Sequence, residues 1–264
     1  MQTPDLSHPL FFVLAIFGIS TVVFFRYVLV AGGFYLFFYR LAQRQFAGRK
    51  ISFRLRQPGQ SWQEVKWSAL TSLAFGLSGA LMLLAWQSGY TLIYTDPGAY
   101  GYLWLPVSLL CAMLVHETYY YWLHRWMHRP KVYRIVHKVH HDSIVTSPWT
   151  SFSFHPLESA LQSIVVPALV FVLPMHYGVV ILLLTLMTIS ATINHLDIEI
   201  YPKGSARHWL GRWFIGATHH SLHHAEFRSN YGLYFTFWDK WMGTESSKYE
   251  GLFEEKTEGG KHNA

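Results

Sequence analysis

The sequence is poor in cysteine and in charge. Its 264 residues include one cysteine, Cys111, inside an apolar run, which excludes a disulfide framework and removes the usual ligand of structural zinc sites. Charged residues make up 14% of the chain and hydrophobic residues 51%, whereas soluble domains carry about 25% charged residues. The composition therefore indicates a membrane protein.

Five apolar segments follow one another along the chain, and together they predict an all-α, multi-pass membrane protein with four to five passages. A spanning helix needs about 20 apolar residues. The first three segments are long enough, although Arg26 in the first predicts a kink or an interfacial position. The last two are marginal, and they predict either a tight transmembrane hairpin or a re-entrant pair. The segments are residues 10–39, 67–87, 100–123, 157–173 and 177–194.

Lysine and arginine are distributed unevenly among the connections. Seven lie in residues 40–66, five in residues 124–159 and eight from residue 195 to the C-terminus, whereas residues 88–99 and 174–176 have none. Because basic loops stay on the cytoplasmic side, this pattern predicts that the histidine-bearing connections face the cytosol. The formal net charge of +6 is explained by these loops, so no nucleic-acid partner is predicted. Residues 1–9 lack the basic start of a secretory signal, so the first segment is interpreted as a retained anchor.

Histidine is abundant where cysteine is scarce. Fourteen of the 16 histidines lie between His116 and His224. Residues three and four apart share one face of a helix, and eight histidines in three sets have this spacing, more than the roughly four to six donors that one ion accepts. The pattern predicts two metal ions bound by His124, His128, His137, His140, His141, His220, His223 and His224.

The residue types alone leave the metal open. A soluble di-iron bundle would show Glu-x-x-His pairs, and the sequence contains none. Imidazole ligands suit iron, copper or zinc. A bis-histidine haem is also compatible with the sequence, but it would leave most of these side chains without a role.

Several motifs, taken in order, resemble the fatty acid hydroxylase superfamily, and most closely its sterol desaturase branch. They are His-Glu-Thr-Tyr-Tyr-Tyr-Trp-Leu-His-Arg-Trp-Met-His at 116–128, His-Lys-Val-His-His at 137–141 and Thr-His-His-Ser-Leu-His-His at 218–224. Shorter matching pieces begin at Phe154, Asn194, Asn230 and Trp238. The resemblance covers residues 116–244, and the first hundred residues match only as membrane helices.

The resemblance implies a non-haem di-iron enzyme with a cytosolic, histidine-lined di-metal cap, which uses dioxygen to attack an unactivated C–H bond of a lipid. It implies two iron ions and assigns the eight histidines above as ligands that carry the catalysis, with His195 and His219 as additional ligands. A sterol-like or long-chain lipid is the expected substrate, and hydroxylation and desaturation both remain open. A separate electron donor, similar to cytochrome b5 or to a ferredoxin with its reductase, is expected, and the membrane is a bacterial inner membrane or the endoplasmic reticulum.

Three further residues are predicted to contact the substrate: His116, Tyr120 and His155. His116 lies about 12 Å along a helix from His124, too far to bind the same ion, so it either contacts the substrate or satisfies a neighbour such as Glu117. His155 precedes Pro156 and Glu158 at an expected helix start. A metal-bound histidine usually has an outer hydrogen-bond partner. The candidates for this role are Asp142, Asp197 and Asp239.

The expected organisation is one integrated membrane domain. It comprises N-terminal membrane helices in residues 1–99, a catalytic region in residues 100–250, and a charged tail in residues 251–264 that looks disordered beyond about Phe253. The alternative functions are a metal-handling or transport protein and a haem electron carrier. Transport predicts ionisable residues along several spans, whereas these histidines gather at one end.

Overall fold

The computed structural model describes residues 4–52 and 54–258. It is mostly helical, as predicted. The helices are α1 (Pro9–Leu36), α2 (Gln43–Phe46), α3 (Gln60–Gln87), α4 (Trp104–Met127), α5 (Pro130–Val132), α6 (Lys138–His141), α7 (Pro156–Gln162), α8 (Val165–Val172), α9 (Tyr177–Asn194), α10 (Ala217–Glu226), α11 (Phe237–Trp241) and α12 (Tyr249–Glu258); the strands are β1 (Ile93–Tyr94) and β2 (Met175–His176).

Three helices among the described residues are long and apolar enough to cross a membrane: Pro9–Leu41, Gln60–Gln87 and Tyr177–Asn194. The first runs through Arg26 as regular helix and becomes a π-helical turn only at Phe37, so the predicted kink at Arg26 is absent there. Large apolar side chains such as Phe17 and Leu29 are exposed on it, as expected for a surface that faces lipid.

The remaining predicted passages differ from a simple spanning helix. Helix α4 has 24 residues, but it begins four residues later than expected, because Gly101 turns with φ 77°, and its second half carries polar side chains. The segment at 157–173 divides into α7 and α8, which are separated at Ser163. Among the described residues, only the last of the two marginal segments forms an uninterrupted apolar helix of spanning length.

Close packing of α1 on α3 fixes the register of the bundle. A Cβ at Gly76 would lie 1.9 Å from Ser20 Oγ and 2.7 Å from the Ile16 carbonyl oxygen, so only glycine allows the two backbones to approach this closely. The interior below the histidines is an apolar cluster of α4, α8 and α9 that includes Leu169, Val180 and Leu183.

The two connections without lysine or arginine meet at one end of the bundle. Strands β1 and β2 pair in parallel there, with Ile93 opposite Met175 and Tyr94 opposite His176. Helices α4 and α9 both start at this end and run toward His124 and His195 at the other. The loops without lysine or arginine and the histidines therefore lie at opposite ends, as the distribution of basic residues predicts.

The expected disordered tail is not what the structure shows. Residues 249–258 form α12, and Phe253 is fully buried against Leu222 and Ala206. The helix packs on α10 because its few apolar residues lie on one face. Residues 259–264 of the predicted tail lie outside the described residues. The proposed domain limits remain a prediction.

Candidate metal centre

Nine histidine side chains converge at the polar end of the bundle. Each of two groups brings its ligand atoms within 4.8 Å of one another, and each could hold one metal ion. Group one consists of His124, His128, His137, His141 and His223, and group two consists of His140, His195, His220 and His224.

The two groups do not correspond to the three sequence motifs. In the last motif, His220 and His224 are four residues apart and join group two, while His223 joins group one. The middle motif divides in the same way, because His137 and His141 are four residues apart and join group one, while His140 joins group two. The groups are adjacent, and the ring centroids of His141 and His224 lie 4.5 Å apart.

Backbone and carboxylate oxygens fix the orientation of the rings. In group one, His124 Nδ1 donates to the Tyr231 carbonyl at 2.8 Å and His137 Nδ1 donates to Glu158 Oε1 at 2.8 Å. In group two, His195 Nδ1 donates to the Ala191 carbonyl at 2.7 Å, and His140 Nδ1 lies 3.3 Å from the Ser153 carbonyl. A neutral imidazole that donates through Nδ1 keeps a lone pair on Nε2.

These lone pairs face one another. The Nε2 atoms of His124 and His137 are 3.0 Å apart, and those of His140 and His195 are 3.1 Å apart. Neither pair has a proton to share when both Nδ1 atoms are the donors, so each pair needs a cation between its nitrogens. The arrangement fits a metal site with outer hydrogen-bond partners, and its all-imidazole donor set suits iron, copper or zinc.

Burial keeps these imidazoles neutral. It lowers the pKa of His137, His140 and His141 well below 6.5, and the neighbouring histidines lower it further. The pKa values of His220 and His223 are lowered for the same reasons. The lone pairs are therefore available to metal ions at neutral pH.

The structure places His195 in group two and His219 outside both groups. His219 stacks edge-on against Tyr249 of α12, with ring centroids 5.1 Å apart, and its Nε2 is 3.9 Å from Glu245 Oε1 and 4.0 Å from Asp239 Oδ2. It precedes the first ligand of α10 by one residue, a rotation that turns its side chain away from the rings of His220 and His224. The expectation that His219 is an additional ligand does not agree with this position.

The model of the family described as fatty acid hydroxylase matches residues 109–244, about half of the chain. A Delta(7)-sterol 5(6)-desaturase of Aspergillus fumigatus is 32% identical over 244 residues, which cover 84% of this chain and 74% of that protein. The chain belongs to the fatty acid hydroxylase family. Within it, the relatives support the sterol desaturase-like branch.

Other relatives of this family member match over shorter regions. The Delta(7)-sterol 5(6)-desaturase of Gibberella zeae is 36% identical over 156 residues, 59% of this chain and 47% of that protein. Human lathosterol oxidase is 34% identical over 180 residues, 66% of this chain and 58% of that protein. The matched regions thus span about half the length of these two relatives. No solved structure matches the chain.

The three predicted substrate contacts lie in different places in this hydroxylase-family chain. His116 and Tyr120 line an apolar cavity of about 240 Å³, which His195 of group two also lines. His155 is instead the N-cap of α7, where its Nδ1 accepts from the Leu157 N–H at 3.2 Å. His155 is not among the residues that line the cavity, because capping turns its ring toward Trp67.

The outer partners are mostly not those expected. Asp142 is an exposed partner of Lys138, and Asp197 accepts from Ser52. Asp239 supports His124 indirectly. Its carboxylate accepts the Tyr231 N–H, and the Tyr231 carbonyl accepts a hydrogen bond from His124 Nδ1. The direct carboxylate partner is Glu158, which sequence analysis assigned only to a helix start. The sequence feature that could have identified Glu158 is its position at the end of the matching piece Phe-His-Pro-Leu-Glu, which begins at Phe154.

Replacing Glu158 with glutamine should weaken metal binding about tenfold. Glu158 is completely buried and holds His137 Nδ1, and loss of such an outer partner typically costs 10- to 100-fold in metal affinity. Competition with a chelator measures the change. Glu250→Gln, at an exposed acid that faces Arg207, is the matched control, and equal affinities in the two variants would contradict the assignment.

Proposed function

We propose that the protein is a di-iron oxidoreductase of membrane lipids, which hydroxylates or desaturates an unactivated C–H bond with dioxygen. The observation that carries the proposal is the pair of facing Nε2 lone pairs in each histidine group, beside a cavity that is almost wholly apolar. The names of the relatives, sterol desaturase and lathosterol oxidase, support a sterol-like or long-chain lipid as the substrate.

The nine histidines would hold two iron ions, one in each group. His124, His128, His137, His141 and His223 would hold one iron, and His140, His195, His220 and His224 would hold the other. The bound irons would supply the site for dioxygen and the oxidising power. Hydroxylation of R–H consumes one dioxygen, two electrons and two protons and gives R–OH and water, whereas desaturation with the same reactants gives an alkene and two waters.

The protein part is binding, orientation and exclusion of water. The Nδ1 hydrogen bonds of four ligands keep their Nε2 atoms in place before metal binds, which limits reorganisation during turnover; they are those of His124, His137, His195 and His223. His195 and the cavity share a boundary, so an apolar chain in the cavity would meet group two directly. Tyr120 borders this boundary and is 5.2 Å from His124, measured between ring centroids.

The proposal also covers location and partners. The histidine end of the bundle is proposed to face the cytosol, because the basic connections lie there, in a bacterial inner membrane or the endoplasmic reticulum. Electrons would come from a separate donor, similar to cytochrome b5 or a ferredoxin with its reductase. The exposed arginine and lysine side chains that follow α4 and α10 in the sequence support a donor with an acidic surface. They are Arg129, Lys131, Arg134 and Arg228.

Oxygen-18 labelling tests the function. Cells that express the protein are grown under oxygen-18 gas, and their lipids are compared by mass spectrometry with those of cells that express His124→Ala. A labelled lipid found only with the unchanged protein is expected for a hydroxylase, and an unlabelled lipid lighter by two hydrogens is expected for a desaturase. Neither product, from iron-loaded protein supplied with lipid extract and a competent electron donor, would overturn the proposal.

A further inference from the structure

The cavity beside the metal centre is apolar except at a few points. It lies between α1, α3, α4, α8 and α9, and its walls include Val23, Phe75, Met82 and Leu184. His195 brings group two to its boundary. A cavity of this kind binds the hydrocarbon part of a ligand, and its polar points decide which head group the ligand carries.

Arg26 is the exceptional residue in this wall. It is the one lysine or arginine outside residues 40–66, 124–159 and 195–264, and it lies on α1, inside an apolar helix of spanning length. Its Nε is buried without a hydrogen-bond partner, and no ion pair to it occurs within residues 4–52 and 54–258. An ionisable side chain at such a site marks a binding function.

The helix ends cannot satisfy this charge. At about 1.5 Å per residue, Arg26 is roughly 26 Å along the axis from Pro9 and roughly 22 Å from Leu41. These separations exceed the reach of an arginine side chain, and Arg26 lines the cavity instead. An unpaired guanidinium in an apolar site is strongly disfavoured, so the cavity is incomplete without an acceptor.

His116 supplies a second polar point in the same wall. Its side chain is 2% exposed, its Nδ1 has no hydrogen-bond partner among the described residues, and it lines the cavity together with Arg26. The hydrogen bond to Glu117 that sequence analysis considered is not made, because both carboxylate oxygens of Glu117 bind backbone N–H groups of Leu233 and Tyr234. His116 is therefore free to contact a ligand.

We propose that the cavity takes a lipid with one anionic group, which Arg26 receives with a second hydrogen bond from His116. The guanidinium fork matches a carboxylate, sulfate or phosphate in two parallel hydrogen bonds. A neutral hydroxyl would leave the charge of Arg26 uncompensated. The inference rests on the proposed function only where it identifies this lipid with the substrate.

The consequence is that Arg26 is a positioning residue. His116 is about 12 Å from His124 along α4, so an anion at Arg26 and His116 is held well below the histidine rings. The carbon that reaches group two is then set by its distance from the anionic group. Loss of Arg26 should therefore change which carbon is oxidised, in addition to weakening binding.

Equilibrium binding to the purified full-length protein in zwitterionic nanodiscs tests the proposal. The probes are two matched pairs, cholesterol sulfate with cholesterol and octadecanoate with methyl octadecanoate. In at least one pair, the anion is expected to bind about tenfold more tightly than its neutral partner, which corresponds to one charge-assisted hydrogen-bonded contact. Arg26→Gln should remove this preference and leave the affinity for the neutral partner unchanged.

A matched control separates the site from a general effect of charge. Arg40→Gln makes the same substitution at an exposed position that follows α1, and it should keep the anion preference. Arg26→Lys should keep part of it and confirms that a cation is needed. An octadecyl phosphate arm distinguishes a phosphate head group from a carboxylate. Absence of an anion preference in both pairs, or its persistence in Arg26→Gln, would overturn the proposal.

Failure here and failure of the proposed function give different results. The binding experiment needs no turnover, so an anion preference without any oxidised product would remove the oxygenase and keep the site. Arg26→Gln and the unchanged protein could instead oxidise a neutral lipid at the same rate and at the same carbon. That result would keep the oxygenase and remove the positioning role of Arg26.

Discussion

Replacing His223 with alanine is expected to remove the ion of group one and reduce turnover by more than about 100-fold, the upper end of the effect of losing an outer partner. His223 is the contact shared by two other ligands of the group. Its Nε2 is 3.1 Å from Nε2 of both His128 and His141. Its Nδ1 donates to the Ser229 carbonyl at 2.7 Å, so this ring is held in place for an ion.

Iron per chain, measured by mass spectrometry of the metal, and product formation are the two readouts. We expect iron to fall from two ions per chain toward one, since group two keeps its own four histidines. His208→Ala, at an exposed histidine, is the control for histidine loss as such. His219→Gln should also retain both ions, because His219 lies outside the groups. Full iron content in His223→Ala would show that the geometric groups are not the binding sites.

The second large effect is expected from Glu117→Ala, which should lower the free energy of unfolding by about 3 kcal/mol, since each buried N–H left without an acceptor costs roughly 1–3 kcal/mol. Glu117 is completely buried, and its carboxylate accepts the Leu233 N–H at 3.0 Å and the Tyr234 N–H at 2.7 Å. Removing it leaves both donors buried without partners.

The loop of residues 231–234 matters to the metal centre because the Tyr231 carbonyl accepts a hydrogen bond from His124 Nδ1. Gly232 lies between Tyr231, which binds His124, and Leu233, which binds Glu117. A Cβ at Gly232 would be 2.6 Å from the Phe235 carbonyl oxygen and 2.8 Å from Glu117 Oε1. The loop therefore has little freedom to adjust. Glu117→Ala should lose iron from group one as well as stability.

Thermal unfolding in nanodiscs and iron content measure the two effects together. Glu117→Gln retains one acceptor oxygen and should give an intermediate loss. Glu255→Ala, at an exposed acid on α12, is the matched control and should behave as the unchanged protein. Normal iron content in a clearly destabilised Glu117→Ala would separate the loop from the metal centre.

The sequence allowed the metal centre to be located because helical spacing is a local property. His124 with His128, and His220 with His224, share a helix face whatever the rest of the fold does, so their convergence could be predicted. The division into two groups could not, because it depends on how the middle motif and α10 pack near the end of α4, which decides the group that each pair joins. Spacing shows which side chains share a face, and tertiary packing decides which nitrogens meet.

Two expected site residues lie apart from the two histidine groups and the cavity lining for local reasons. His219 precedes the first ligand of α10 by one residue and His155 caps α7, so each ring contacts a different neighbour, Tyr249 for one and Trp67 for the other. Helix α12 looked like a charged tail because its burial depends on Phe253 reaching a pocket on α10. Arg26 was recognised as unusual, but the cavity that it lines is formed by five helices and is invisible to periodicity.

The order of the histidines along the chain has a consequence for biosynthesis. Each proposed site is closed only by α10, whose His220, His223 and His224 come late in the sequence, after all five apolar segments. A nascent chain on the ribosome therefore holds incomplete sites throughout membrane insertion. Iron loading should be a post-translational event, and truncation before residue 220 should yield an inserted protein that retains neither ion.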